Sequence, residues 1–123
     1  MEIPELVKDP TTQQLVRYAG ASGDFYQIHY DQDFAVGVGL PGVILHGLLK
    51  TAFIGQLLTD WLGAEGALRE LEVSYRGLDL PGCQYRCRGI VTTIEGKLVG
   101  LDVWGEDPDG NRTTVGSATV ELA

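Results

Sequence analysis

The order of apolar and polar residues divides the chain into a helix-forming first half and a strand-forming second half. Residues 1–10 (MEIPELVKDP) are broken by two prolines, which leaves room for a brief edge strand at most. A helix is expected to start at Asp9-Pro10 or Thr11: proline suits the first helical position, and Thr11-x-x-Gln14 has the form of a capping box. Leu15, Val16 and Ala19 supply its apolar face, and the run from Gly20 to Gly23 ends it. After the Gly39–Gly42 turn a second helix is expected from Leu45 or His46 to Leu62, roughly 25 Å long. Its apolar positions 48, 49, 52, 53, 57, 58, 61 and 62, widened by Ile54, predict contact on more than one side. Gly47 and Gly55 each cost about 1 kcal/mol relative to alanine inside a helix, so a close backbone approach is expected there. Gly63 stops the helix.

From Ala67 the period changes to two. Leu71, Val73 and Tyr75 alternate with Glu70, Glu72, Ser74 and Arg76, and the LDLPG turn follows. Strands are then expected over 84–95, 98–104 and 113–122, separated by the Glu95-Gly96-Lys97 turn and by Asp107–Asn111 (DPDGN). One long helix followed by about four antiparallel strands is an α+β layout with the helix on one face of the sheet. Such a small sheet leaves edges that need covering, and pairing of two subunits edge to edge would do so, which predicts a dimer.

At 123 residues the chain is read as one domain spanning residues 1–123, long enough for a modest core. No apolar run reaches the roughly 18 residues of a membrane span, because Lys50 and Asp60 interrupt the longest candidate. No basic segment precedes an apolar one at the N-terminus, so no secretory signal is read and the expected compartment is the cytoplasm. The net charge of −8 argues against nucleic acid as a partner. Four of the nine cations, Arg69, Arg76, Arg86 and Arg88, nevertheless fall within twenty residues. Gln84, Arg86 and Arg88 share one strand face, open to two readings: a patch for the phosphates of an anionic ligand, or a solvated face. Cys83 and Cys87, four apart in an expected strand, would sit roughly 13 Å apart, too far for a disulfide. No zinc spacing is present, and no metal is expected. Trp61 and Trp104 are expected in the core.

The chemistry-bearing stretch runs from Tyr18 to Leu62. Asp24 and His29 lie five residues apart in a glycine-flanked loop that leads into the nearly uncharged helix, a polar pair set against a core. On its own a Gly-Asp pair after a helix is most often a turn, and a loop histidine is most often solvated.

The motifs S-G-D-F-Y-Q-I-H-Y-D (Ser22–Asp31) and L-P-G-V-I-L-H-G-L-L (Leu40–Leu49) change that reading. They resemble the MaoC-like (R)-specific enoyl-CoA hydratases and dehydratases of the hot-dog fold. The family pattern is roughly S-G-D-x-N-P-x-H-x-D, followed by H-G at the start of the central helix. Ser22, Gly23, Asp24, His29, Asp31, His46 and Gly47 match it, and Leu80-Pro81-Gly82 falls where the family has a Pro-Gly turn. Tyr26 and Gln27 stand where the family has Asn and Pro. A looser likeness through Pro4–Thr11, Asp24–Asp33 and Thr59–Gly63 is to the Asp/His-bearing subunit of heteromeric hydratases of steroid side-chain degradation.

The resemblance implies an antiparallel sheet wrapped around one long helix. It also implies reversible hydration of a trans-2-enoyl-CoA to an (R)-3-hydroxyacyl-CoA, with coenzyme A part of the substrate and no separate cofactor. Asp24 and His29 would activate water, and the Gly47 N–H would hold the thioester oxygen. Beside that pair, Tyr26 is read as a substrate-binding candidate, His46 as either a substrate-binding residue or one that orients the loop, Arg86 and Arg88 as the candidate phosphate patch, and Asp31 as a brace for the His29 segment. Which of Asp24 and His29 acts as acid and which as base stays open. Two other readings are weighed. A hot-dog thioesterase is disfavoured because Asp60, near the far end, is the only acid in the helix. A non-catalytic acyl-binding partner in a heteromer is disfavoured because Asp24 and His29 are both kept.

Overall fold

The computed structural model describes all 123 residues. In chain order they form β1 (Leu6–Lys8), α1 (Thr12–Ser22), a 3-10 turn (Gln27–His29), α2 (Gln32–Gly37), α3 (Gly47–Leu62), β2 (Ala67–Tyr75), β3 (Tyr85–Glu95), β4 (Leu98–Glu106) and β5 (Arg112–Glu121). The five strands make one antiparallel sheet in the order β1-β3-β4-β5-β2, so β1 and β2 are its edges.

The helix ends follow the capping signals. The Thr11 hydroxyl accepts the Gln14 N–H at 3.1 Å and starts α1, and Gly23, in the left-handed region at φ 79°, ends it. That conformation is open to glycine at little cost, and it turns the chain sharply into Asp24. Leu15 and Ala19 of α1 are buried as expected, whereas Val16 faces solvent. Helix α2 was not expected: its six residues carry no apolar period, and its one signal is Asp31, whose carboxylate caps the Phe34 N–H at 3.1 Å.

Helix α3 lies across the sheet. Leu49, Lys50, Phe53, Ile54, Leu57 and Leu58 form its buried stripe, against Tyr85, Cys87, Val99, Leu101, Val103, Ala118 and Val120 of β3, β4 and β5. The stripe is narrower than the sequence predicts. Leu48 is 59% exposed, Ala52 faces solvent, and nothing in the chain approaches Gly55. The apolar residues on that side therefore lie on an open flank of the helix. No helix is long and apolar enough to cross a membrane.

Lys50, which interrupts the apolar run, is buried with a partner. Its ammonium meets Asp79 Oδ2 at 2.9 Å and the Gly77 carbonyl at 3.1 Å, and the Thr113 hydroxyl donates to the same carboxylate oxygen at 2.6 Å. The Asp79 carbonyl also accepts the Leu45 N–H at 2.9 Å. The loop after β2 is thus tied to the start of α3 by both side chain and backbone.

Trp104 is buried and Trp61 packs against the core, as expected. Both cysteines are free; Cys83 lies in the turn before β3 rather than in a strand, and burial pushes the Cys87 thiol up to about 12.

Candidate active site

The site forms where the Asp24–His29 loop meets the start of α3. The loop is shaped by short-range bonds: the Asp24 N–H donates to Ser22 Oγ at 3.2 Å, and Asp24 Oδ1 accepts the Tyr26 N–H at 3.4 Å. The following 3-10 turn swings His29 inward, and the ring is buried. His29 Nδ1 lies 2.8 Å from the Ile44 carbonyl. A carbonyl only accepts, so Nδ1 carries the proton and Nε2 keeps its lone pair in the neutral ring. Two residues later in the chain, His46 stacks on the His29 ring, with centroids 3.9 Å apart and planes at 21°. His29 is held at its edge by Ile44 and on its face by His46.

His29 Nε2 and Asp24 Oδ2 are 3.8 Å apart. That is too long for a direct hydrogen bond and short enough for one water to reach both. Helix α3 begins at Gly47, immediately after His46, and the N–H groups of Gly47, Leu48 and Leu49 have no acceptor within the chain. Free N–H groups and the positive end of the helix dipole favour a negative oxygen there. A Cβ on Gly47 would stand 2.9 Å from the Tyr75 ring, so a larger residue there would have to displace that ring.

His46 is fully buried, and neither ring nitrogen meets a partner in hydrogen-bond geometry. Burial first, and then His29 beside it, hold its pKa below the ordinary 6.5, partly offset by Asp24. Tyr18, edge-on to His46 at 4.8 Å, completes its surroundings. A neutral His46 leaves the stack without like-charge repulsion when His29 takes a proton. The sign of the linked stability effect follows. In the unfolded chain His46 binds a proton near pH 6.5, and in the folded chain only at lower pH, so the unfolded state holds more protons between the two. Stability is therefore lost as pH falls below 6.5, by up to about 1.4 kcal/mol per pH unit from this group. Denaturant unfolding of His46→Phe between pH 5 and 7.5 is expected to show a flatter acid limb than the wild type.

Asp24, His29 and His46 bring one possible metal-binding atom each within 4.8 Å of one another. Imidazole lone pairs lie in the ring plane, so two rings stacked nearly parallel cannot both aim at one ion. The stack favours acid–base chemistry over ligation.

Of the other residues expected here, Tyr26 stands exposed at the rim with its ring edge-on to His29 and Phe34. Asp31 braces the segment through the cap of α2, and its own N–H donates to the Gln27 carbonyl at 2.8 Å. Arg86 and Arg88 do share a strand face, but both meet Glu5, at 2.9 and 3.1 Å, and Arg88 also faces Glu106 at 3.7 Å. These carboxylates offset the charge that would attract phosphate. The arginines lie on β3, three strands across the sheet from β2 and Tyr75. Tyr18 and Tyr75 were not read from the sequence as site residues. One lies on an amphipathic helix and the other at the end of a strand, and neither position carries a local signal.

The fold is a hot-dog fold, with Asp24 and His29 set beside the start of its central helix. The chain belongs to the MaoC-like domain family, whose pattern it matches over residues 4–98. It is 31% identical over 126 residues to the 3-oxo-4,17-pregnadiene-20-carboxyl-CoA hydratase beta subunit of Mycobacterium tuberculosis, covering 98% of this chain and 92% of that one. It is 32% identical over 107 residues to the fatty acid synthase beta subunit TOXC of Cochliobolus carbonum, of which it spans 5%. Among solved structures it is similar to the (R)-hydratase from A. caviae involved in PHA biosynthesis, with a TM-score of 0.94 and 22% identity over 100% of this chain and 95% of that one. The ChsH1–ChsH2 complex from Mycobacterium tuberculosis matches with a TM-score of 0.92 and 22% identity, over 100% of this chain and 96% of that one.

Proposed function

We propose that the protein is a hydro-lyase that adds water reversibly to a trans-2-enoyl-CoA, giving the (R)-3-hydroxyacyl-CoA. The observation that carries this reading is the 3.8 Å gap between His29 Nε2 and Asp24 Oδ2, beside three unpaired helix N–H groups. A water bridging the gap loses a proton to His29 Nε2, which the Ile44 bond keeps free as a base. The resulting hydroxide bonds to C3, the double-bond electrons move onto the thioester oxygen, and the Gly47 N–H holds that charge. Collapse of the enolate takes a proton at C2 from the Asp24–His29 pair, so one water is consumed and both groups return to their starting states. The MaoC-like membership and the hydratase beta subunit among the relatives support this chemistry. Asp60 is exposed at the far end of α3, which disfavours a thioesterase built on that helix.

The protein is also proposed to assemble through β2, cytoplasmically, either with its own copy or with a second hot-dog chain. The outer edge of β2 is unpaired and the α3 flank bearing Leu48 is open. The relative that is a named hydratase subunit favours the heteromeric form.

Incubation with short, long and polycyclic trans-2-enoyl-CoAs is expected to remove the conjugated thioester absorbance for at least one of them. No loss with any substrate, by the protein alone or mixed with a co-purifying hot-dog chain, would sink the reading. Release of free thiol instead would move it to hydrolysis. Light scattering reads the assembly directly, and a monomer in solution would refute it.

A further inference from the structure

The chain carries two histidines, and the fold stacks one on the other. Their ring centroids are 3.9 Å apart with planes at 21°, so the face of His46 covers the face of His29. His46 is fully buried, and neither of its nitrogens has a hydrogen-bond partner. No polar bond of its own explains its place. What its ring meets is the face of His29 and the edge of Tyr18, at 4.8 Å. Proton transfer between water, His29 and Asp24 leaves His46 without a part.

The stack has room for one positive charge. A proton on His46 would sit in a buried site with no acceptor to receive it, and beside a charged His29 it would meet a like charge. The titratable groups facing the stack are Tyr18 from α1, Asp24 and Tyr26 from the loop, and Lys50 one turn along α3, whose charge is committed to Asp79. Asp24 supplies the one free carboxylate among them, 3.8 Å from His29 Nε2, where it compensates a proton on His29. His46 stays neutral: burial first and then His29 lower its pKa, and Asp24 offsets this only in part. A neutral aromatic ring has a negative face, and a cation within about 6 Å of its centroid is attracted to it. His29 is uncharged before it takes a proton from water and charged afterwards. The attraction is therefore absent from the resting site and grows as the proton moves.

We propose that His46 is a positioning residue for proton transfer: its neutral ring face backs His29 and steadies the imidazolium that forms when water gives up its proton. The inference rests on the reading of His29 as the base of a hydratase, and it deepens that reading by giving the buried stack a part in the chemistry. His46 acts through His29.

The test reads the His29 ring separately from turnover. Untagged wild type, His46→Phe, His46→Leu and His46→Met are titrated by proton NMR without substrate. One histidine remains in each variant, so its imidazole signal is that of His29, and a His29→Gln variant assigns the wild-type signals. In His46→Leu, which fills the space without a ring face, His29 is expected to take its proton about one pH unit lower than in the wild type, a tenfold change. The acid limb of kcat/KM for enoyl-CoA hydration should move with it, and kcat should fall roughly three- to tenfold with KM little changed. His46→Phe restores an aromatic face and should recover most of both effects. His46→Met, which also lacks a ring, decides the matter should His46→Leu fail to fold, and is expected to shift the same way. A titration midpoint that stays put in every folded variant, or that falls alike in His46→Phe and His46→Leu, would overturn the proposal whatever the hydration rates. A midpoint lowered in His46→Leu and restored in His46→Phe, in a protein that hydrates no enoyl-CoA, would support the stack and sink the hydratase reading.

Discussion

An Asp24→Asn variant is expected to hydrate a trans-2-enoyl-CoA between about one-hundredth and one ten-thousandth as fast as the wild type, the usual range for a lost acid–base group. Asparagine keeps the shape of the side chain and an oxygen for the Tyr26 N–H, so the loop should persist. What it loses is the ability to accept and release a proton across the 3.8 Å gap to His29. The Asp24 side chain is 40% exposed, and its replacement should move the melting temperature little. His29→Ala should match the rate loss but not the stability. It strips the Ile44 carbonyl of its partner and removes the ring on which His46 stacks, and a buried carbonyl left unpaired costs roughly 1–3 kcal/mol. Initial rates and thermal melts on the two variants separate chemistry from folding. Wild-type rates in Asp24→Asn would remove this carboxylate from the mechanism.

The second large effect is expected at Lys50 and Asp79, which make no proton transfer. Both side chains are at least 95% buried, so removing one leaves the other as an unpaired charge in the core. Lys50→Met or Asp79→Asn is expected to cost about 3–5 kcal/mol, or roughly 10 °C or more in melting temperature. The double variant Lys50→Met/Asp79→Leu should recover much of that loss, because a well-packed apolar pair pays no desolvation penalty. Equal loss in the single and double variants by denaturant unfolding would refute the pairing account. Since Asp79 also holds the Leu45 N–H through its carbonyl, even the recovered double variant keeps the backbone tie to the start of α3.

The contrast between Asp24 and Lys50 shows where sequence reasoning reaches. Thr11, Gly23 and Gly63 are local signals, and the ends of α1 and α3 fell where those signals put them. The alternation in 67–75 and the turns at Gly96 and Gly110 placed the strands to within two residues. Asp24, His29 and Gly47 were legible because they belong to a motif, and the structure brings the first two and the start of α3 to one place. Lys50 was legible only as a break in an apolar run, since its partner lies 29 residues away. The same limit applies to Arg86 and Arg88, whose partner Glu5 is about eighty residues distant, and to Tyr75, which meets Gly47 through the fold alone. Helix α2 escaped for a different reason: six residues are too few to show a period.

The bonds between Ile28, His29 and Ile44 have a consequence for how the protein can change over time. The Ile44 N–H donates to the Ile28 carbonyl at 3.0 Å, and the Ile44 carbonyl receives the His29 proton. Together they close the neck of a loop whose far end carries the exposed Val36 and Val38. Lengthening such a loop costs little in closure entropy, about 0.6 kcal/mol for each doubling, as long as its neck stays fastened. The tip of the loop can therefore drift in length and composition while His29 and the helix start keep their places. Freedom to vary at the tip and constancy at the neck are thereby assigned to separate parts of one short segment.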